Sequence, residues 1–229
     1  MANSSINKRY PTLNELYWSP GGNLNLQEER IAISELGIKI NRKLKFGSLS
    51  SSLFAYYNIT DNWMQWVPGA TYWSPINLKQ VVSKGLELDI SLKGNQYRKL
   101  RYNLGLKVNY NLTENKEVYD TSFVEPNNEV IYNPNWNVNI LASLSYKTWT
   151  LTYHQPYVSR YFISNDNLYF MPSYSTANFR IIKSFKNHMS EWRLAVSVDN
   201  VLDWQYQVIP GRPMPGRVFS LNIIYNLKK

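Results

Sequence analysis

Apolar and polar residues alternate along most of this chain. Leu100, Tyr102, Leu104, Leu106, Val108 and Tyr110 interleave with Arg101, Asn103, Gly105, Lys107, Asn109 and Asn111. Leu86, Leu88, Ile90 and Leu92 alternate with Glu87, Asp89 and Ser91, and Trp192, Leu194, Val196 and Val198 with Arg193, Ala195, Ser197 and Asp199. Near the end, Phe219, Leu221, Ile223, Tyr225 and Leu227 alternate with Ser220, Asn222 and Asn226. A period of two sends successive side chains to opposite faces of an extended strand, giving one apolar and one polar face. The pattern predicts an all-β, antiparallel, up-and-down chain of about nine strands, at 28–41, 47–62, 81–93, 97–112, 135–146, 148–160, 174–185, 191–202 and 217–227. Helical spacing is hard to find.

Alternation alone does not say whether the apolar face meets a protein core or lipid. Length and connections separate the two. Globular strands usually have five or six residues, whereas a tilted membrane strand needs roughly 9–11. The predicted strands have membrane lengths. Their connections alternate in size: short ones near 42–46, 94–96, 147 and 186–190, long ones near 63–80, 113–134, 161–173 and 203–216. Membrane barrels of the outer-membrane type have short periplasmic turns and long external loops. With the short turns periplasmic, the first predicted strand begins outside, after residues 1–27, which are expected to form an external loop segment. An odd strand count with an external start implies that upstream strands are absent, since open apolar edges are not tolerated in lipid.

Composition narrows the classes. Aromatics make up 15% of the 229 residues, with 18 Tyr and 8 Trp, and charged residues 18%. Tyr and Trp have an apolar body and a polar tip, which suits strands and membrane boundaries. No apolar run is long enough for a spanning helix, so a helical membrane protein is excluded. Cysteine is absent, which removes disulfides and thiolate metal sites. The start carries no cationic region followed by an apolar core, so a fragment is expected rather than a complete secreted chain. The net charge of +9 is spread through turns and strands without a basic stripe, so nucleic acid is not an expected partner. His154 lies on a polar strand face and His188 in a short turn at the opposite end, so they should not share a metal; no catalytic set and no cofactor are expected.

Several segments resemble those of TonB-dependent receptors. Tyr10-Pro11-Thr12-Leu13-Asn14-Glu15-Leu16-Tyr17-Trp18 and Gly21-Gly22-Asn23-Leu24-Asn25-Leu26 are similar to a mid-barrel signature of that family, followed by a Glu-x-Gly strand, here Glu35-Leu36-Gly37. Lys84-Gly85-Leu86-Glu87 resembles its Lys-Gly-x-Glu strand, Asn200-Val201-Leu202-Asp203-Trp204-Gln205-Tyr206 its Asn-x-Phe/Leu-Asp-x-x-Tyr motif, and Pro213-Met214-Pro215-Gly216-Arg217 its Pro-Gly-Arg approach to the last strand. The order and spacing cover nearly the whole chain, with the flavour of cobalamin and siderophore receptors of Bacteroidetes-like bacteria.

The resemblance implies a 22-stranded barrel closed by an N-terminal plug in the outer membrane of a Gram-negative bacterium. Residues 28–229 would be its C-terminal strands. The implied function is TonB-energised uptake of a bulky, scarce ligand of the cobalamin or ferric siderophore class. The implied partners are outer-membrane lipid, the plug and upstream strands of the parent protein, the TonB complex and a small-molecule ligand. Two other readings remain open: a passive pore or small independent barrel, which would have its own signal peptide, and a soluble β-sandwich binding module, whose apolar faces would pack together.

Glu35, Lys39, Glu87, Asp89, Lys107, Arg180, Arg193 and Asp199 fall on polar strand faces, so they are expected to line the lumen and face the plug or one another. Gly85 and Gly105, also on polar faces, allow either close approach of a neighbour or a bend. Pro213, Pro215 and Gly216 are expected to fix a turn. The loop aromatics Trp63, Trp66, Tyr72, Trp73, Tyr161, Tyr169, Phe170, Trp204 and Tyr206 are expected to form either an outer aromatic girdle at the lipid boundary or a binding mouth. The ligand-contact candidates are Trp66, Tyr72, Trp73, Arg160, Tyr161, Tyr206 and Arg212.

Overall fold

Antiparallel pairing between chain neighbours accounts for almost the whole architecture. The computed structural model describes residues 1–94, 99–121, 124–187 and 189–227. His188, Lys228, Lys229 and the turn residues 95 and 96 of the sequence expectations lie outside them. The elements are β1 (Ala2–Arg9), α1 (Leu13–Tyr17), β2 (Glu29–Leu44), β3 (Gly47–Pro68), β4 (Trp73–Gly94), β5 (Leu100–Glu117), β6 (Trp136–Tyr146) and β7 (Trp149–Val158). After them come β8 (Tyr161–Phe162), β9 (Phe170–Met171), β10 (Tyr174–Ser175), β11 (Asn178–Lys186), β12 (Ser190–Asp199), β13 (Gln207–Ile209), β14 (Arg212–Pro213) and β15 (Val218–Leu227).

One sheet runs β1-β2-β3-β4-β5-β6-β7-β11-β12-β15, with β10 attached to β7; β8–β9 and β13–β14 are two separate small hairpins. The long path thus holds ten strands, where the periodicity predicts nine. The extra one is β1. It pairs with β2 from Ala2↔Leu36 to Arg9↔Glu29, so residues 1–27 are a strand and a helical turn as well as loop. This strand has no apolar alternation of its own; the backbone edge of β2 holds it. With ten strands on the path among the described residues, the odd count that implied missing upstream strands is replaced by an even one. The path is open, with β1 and β15 at its two ends.

The predicted long connection 63–80 is mostly strand. β3 and β4 have 22 residues each and pair through to Pro68↔Trp73. At about 3.3 Å per residue each is roughly 70 Å long, far more than a lipid layer needs. The hairpin therefore projects well beyond the wall. Asn62, at φ 56°, and a register shift between Gln80 and Val81 mark where it leaves. Beyond that point the alternation changes phase, and Trp63 joins Asn58 on the inner side.

The apolar face is uncovered. Leu36, Ile38, Leu221 and Ile223 expose 66%, 65%, 65% and 60% of their surface. No second sheet packs on that face among the described residues, which removes the sandwich reading. The buried cluster is elsewhere: Leu78, Val81, Val124 and Val130, with Trp63, Ile76 and Val118 against it, lies at the long-loop end. It packs the segment after β5 onto the projecting hairpin. Among the described residues no helix is long and apolar enough to cross a membrane.

Candidate functional site

The segment 10–26 is held by a charged cluster. Thr12 is the N-cap of α1 and forms a capping box with Glu15. The Glu15 carboxylate accepts from the Thr12 amide at 2.7 Å and hydroxyl at 3.0 Å, and from Arg9 Nη1 at 3.1 Å. Arg9 also donates through Nε and Nη2 to Glu29 at 2.8 and 2.9 Å, and the Met64 amide donates to Glu29 at 2.7 Å. Both carboxylates are buried. Burial pushes the Glu15 carboxyl up, but the Thr12 donors and the Arg9 guanidinium outweigh it and hold it below the usual glutamate value. Sequence reasoning singled out neither Arg9 nor Glu29 because their partnership spans β1 and β2. Asn23 donates to the Pro75 carbonyl at 3.0 Å, and the Asn77 side chain accepts from the Gln27 amide at 2.8 Å and donates to the Gln27 carbonyl at 3.2 Å. The loop is thereby laid along the β3–β4 hairpin.

Below these loops the inner face forms a hollow of about 570 Å³, lined by Glu35, Tyr56, Asn58, Glu87, Asn111 and Tyr132 among others. Tyr56 donates to Asn111 Oδ1 at 2.9 Å, and Asn111 donates onward to Asn133 at 3.0 Å. Asn109 donates to Glu87 at 3.2 Å. Among the described residues Asn58 Oδ1 is buried without a hydrogen-bond partner, and Asn58 belongs to the lining of the hollow. A neighbouring hollow of about 380 Å³ is lined by Lys39, Phe54, Glu87, Asp89 and Lys107 among others. There Lys107 pairs with Asp89 at 3.1 Å, and Lys39 lies 5.3 Å from the Phe54 ring centre. The Lys107–Asp89 pair is well exposed, so it adds little stability.

Two glycines shape this wall. A β-carbon at Gly85 would overlap the Tyr110 carbonyl and the Tyr56 phenol, and one at Gly37 would overlap the Phe54 ring. Inner-face aromatics thus lie flat across neighbouring strands where a side chain is missing. Gly105 differs: a β-carbon there would meet Leu141 at an ordinary 3.7 Å.

Glu35, Lys39, Glu87, Asp89 and Lys107 come together on β2, β4 and β5. Arg180, Arg193 and Asp199 lie farther round the wall. Arg180 sits between Thr152 and Ser197, Arg193 bonds Glu191 at 2.9 Å, and Asp199 faces Val218.

At the mouth, Trp73, Tyr132 and Tyr161 make a chain of rings, 6.2 Å between centres at each step. Tyr161 is buried and donates to the Val208 carbonyl at 2.7 Å; burial pushes its hydroxyl up to about 12. The other candidates are dispersed. Trp66 meets Trp18 edge-on at 5.7 Å, Tyr206 stacks on Tyr174 at 4.6 Å, and Arg160 lies over Phe170. Tyr72 closes the β3–β4 turn, its carbonyl accepting from Gly69, and Arg212 is exposed on the β13–β14 hairpin. Tyr132, the ring that links Trp73 to Tyr161, was not among the sequence candidates; nothing local distinguishes it from other loop tyrosines. The loops interlock through Asn128 to the Asn165 carbonyl, Gln65 to Asn165 Oδ1, and Asn167 with the Glu129 backbone.

The turn into β15 explains two motifs at once. Asn200, at φ 50°, bonds both the amide and carbonyl of Trp204, and Asp203 accepts from the Arg217 amide at 2.8 Å. Arg217 Nε returns to the Val201 carbonyl at 3.0 Å. These are structural roles. Among the described residues no group of three His, Asp or Glu side chains could hold a metal. His154 bonds Asn139 at 3.2 Å.

A family model described as TonB dependent receptor-like, beta-barrel matches residues 7–201. The vitamin B12 transporter BtuB of Vibrio vulnificus (strain YJ016) is 33% identical over 93 residues, covering 39% of this chain and 14% of that protein. Among solved structures, the copper transporter OprC superposes with a TM-score of 0.75 at 13% identity, covering 99% of this chain and 36% of that one. The ferric-catecholate import receptor Fiu from K12 E. coli gives 0.67 at 16%, covering 99% of this chain and 32% of that one. The chain spans about a third of the length of these solved structures. The outward apolar face, the polar inner face and the family match lead to one conclusion: this chain belongs to the TonB-dependent receptor β-barrel family of the Gram-negative outer membrane.

Proposed function

We propose that the chain supplies the C-terminal wall, and part of the ligand-binding mouth, of an active importer of bulky ligands of the cobalamin or ferric siderophore class. At the coarser level it is part of an outer-membrane transport receptor, as its family and relatives are transport receptors rather than enzymes. The observation that carries the finer reading is the polar hollow beneath interlocked, aromatic-rich loops, on the side of the wall opposite the lipid face. Large rigid rings bind bulky ligands at low entropic cost, and polar lining groups such as those of Glu35 and Glu87 fix orientation. The names of the relatives, a vitamin B12 transporter and a ferric yersiniabactin uptake receptor, support that ligand class.

On this reading the ligand enters past Trp73, Tyr132 and Tyr161. The plug of the same receptor closes the lumen against Glu35, Lys39, Glu87, Asp89 and Lys107, with Arg180, Arg193 and Asp199 facing the same interior. The TonB complex supplies the energy that opens this closure. Uptake of labelled cobalamin and ferric siderophores by cells carrying the intact gene tests it. Accumulation of at least one ligand is expected, with loss of accumulation when TonB is deleted. Uptake that persists without TonB would replace the importer by a passive pore.

A further inference from the structure

Across the outward face, aromatic rings gather at two heights. The upper set includes Tyr110 and Trp136, 4.7 Å apart. The lower set includes Tyr146 and Trp149, paired across the β6–β7 turn, and Trp192 and Tyr225, 4.5 Å apart. Trp136 and Tyr146 are the two ends of β6, an 11-residue strand. Ten steps at about 3.3 Å make about 33 Å along the strand, and a tilt of about 40° reduces this to about 25 Å across the layer. That is about the height of the apolar band of an outer-membrane barrel. The lower rings therefore sit at the headgroup level of the leaflet on the short-turn side.

A lysine lies in the middle of them. Lys183 is directly opposite Trp149 on β7 and Leu194 on β12, so it points outward from the wall. Its ammonium is 4.4 Å from the Trp149 ring centre and 5.5 Å from that of Phe185, and it donates to Thr148 Oγ1 at 2.7 Å. An ammonium has three N–H donors, and Thr148 takes one. Lys147, exposed in the adjoining turn, lies 5.2 Å from the Tyr146 ring centre. Among the described residues no ion pair involves either lysine. The nearby Glu191 pairs with Lys186 and Arg193, on the inner side of the wall. A charge on a lipid-facing strand is costly unless it reaches a counter-charge at the boundary. These two cations have such a height, and among the described residues no carboxylate pairs with them.

We propose that Lys147 and Lys183, framed by Tyr146, Trp149 and Phe185 with Thr148 between them, bind the phosphate of an anionic glycerophospholipid in the short-turn leaflet. The rings pack against the glycerol and upper acyl carbons, and the two ammonium groups bond the phosphodiester oxygens. With two cations on one headgroup, a lipid of net negative charge is preferred over a zwitterionic one.

Native mass spectrometry of the full-length receptor in detergent, titrated with phosphatidylglycerol or phosphatidylethanolamine, tests this. The parent is expected to retain phosphatidylglycerol preferentially. Lys183→Gln and Lys147→Gln should each weaken retention by about fivefold, and Lys183→Arg should restore it. Lys186→Gln, on the inner face, should leave retention unchanged. Equal retention of both lipids, equal loss in the Lys186 variant, or no loss in the Lys147 and Lys183 variants overturns the proposal. So does displacement of the lipid by millimolar inorganic phosphate, since that would mark a free-anion site.

Discussion

Glu15 shows how a side chain with an ordinary pattern comes to hold a long loop. It is the third residue of a five-residue helical turn, and its carboxylate joins Thr12 to Arg9. Replacement by Gln keeps the shape but removes the charge. We expect Glu15→Gln to lower stability by on the order of 2 kcal/mol, the scale of hydrogen bonds to a charged group. Trypsin cleavage after Arg30 or Arg9 should become faster. Because the folded carboxyl lies below its usual value, its contribution is complete above the unfolded value of about 4.3 and fades as pH falls through the lower folded one. The stability gap between parent and variant should therefore be constant near neutrality and close in acid. A gap independent of pH down to strong acid would remove the ionic account. Gly85 makes a second residue-scale case. Gly85→Val forces a side chain into the Tyr110 carbonyl and Tyr56 ring, and should abolish the folded, heat-modifiable band on gels. Gly105→Val, with only Leu141 nearby, should keep it.

At the scale of elements, the strands divide their chemistry by face, and the division can be tested on neighbouring residues. Ile140 faces outward beside Leu106 and Gln155, near the middle of β6, while Asn139 faces inward beside Lys107. Ile140→Arg places a charge near the lipid midplane and should cost about 2–4 kcal/mol in unfolding from bilayers. Asn139→Arg should cost much less, since it enters a polar lumen. Similar costs for both would mean that the faces are assigned wrongly. The strands themselves were legible because alternation is a local property. β1 was not: Ala2-Asn3-Ser4-Ser5-Ile6-Asn7-Lys8-Arg9 has one large apolar residue, and its strand form comes from the ladder with β2. The outer halves of β3 and β4 were hidden for a related reason. Trp63 to Lys79 has the composition of a loop, and only mutual pairing across a four-residue turn makes it a hairpin.

On the scale of the whole molecule, the loops form one interlocked mouth over the inner face, so ligand contacts should be shared rather than additive. Trp73→Ala is expected to weaken ligand binding by about tenfold, the effect of a typical anchoring aromatic, and Tyr132→Ala by a similar factor because it joins Trp73 to Tyr161. Arg212→Ala, exposed on its hairpin, should change binding little. Equilibrium binding of a transported ligand to detergent-solubilised receptor gives all three values. A strong effect at Arg212 with none at Trp73 would move the mouth to the β13–β14 hairpin.

The order of residues by itself determined the strand class, the two-faced character of each strand and the family resemblance. Each of these follows from the period-two geometry of an extended backbone or from motifs read in place. Only the tertiary structure decided which aromatics meet, that Arg9, Glu15 and Glu29 form one buried cluster, that Glu35 and Glu87 share a hollow, and that Lys183 lies on the apolar face between the Trp149 and Phe185 rings. Those facts depend on register between strands distant in sequence and on loops packing against one another. A period of two assigns a residue to a face, but the hydrogen-bond ladder assigns its neighbours.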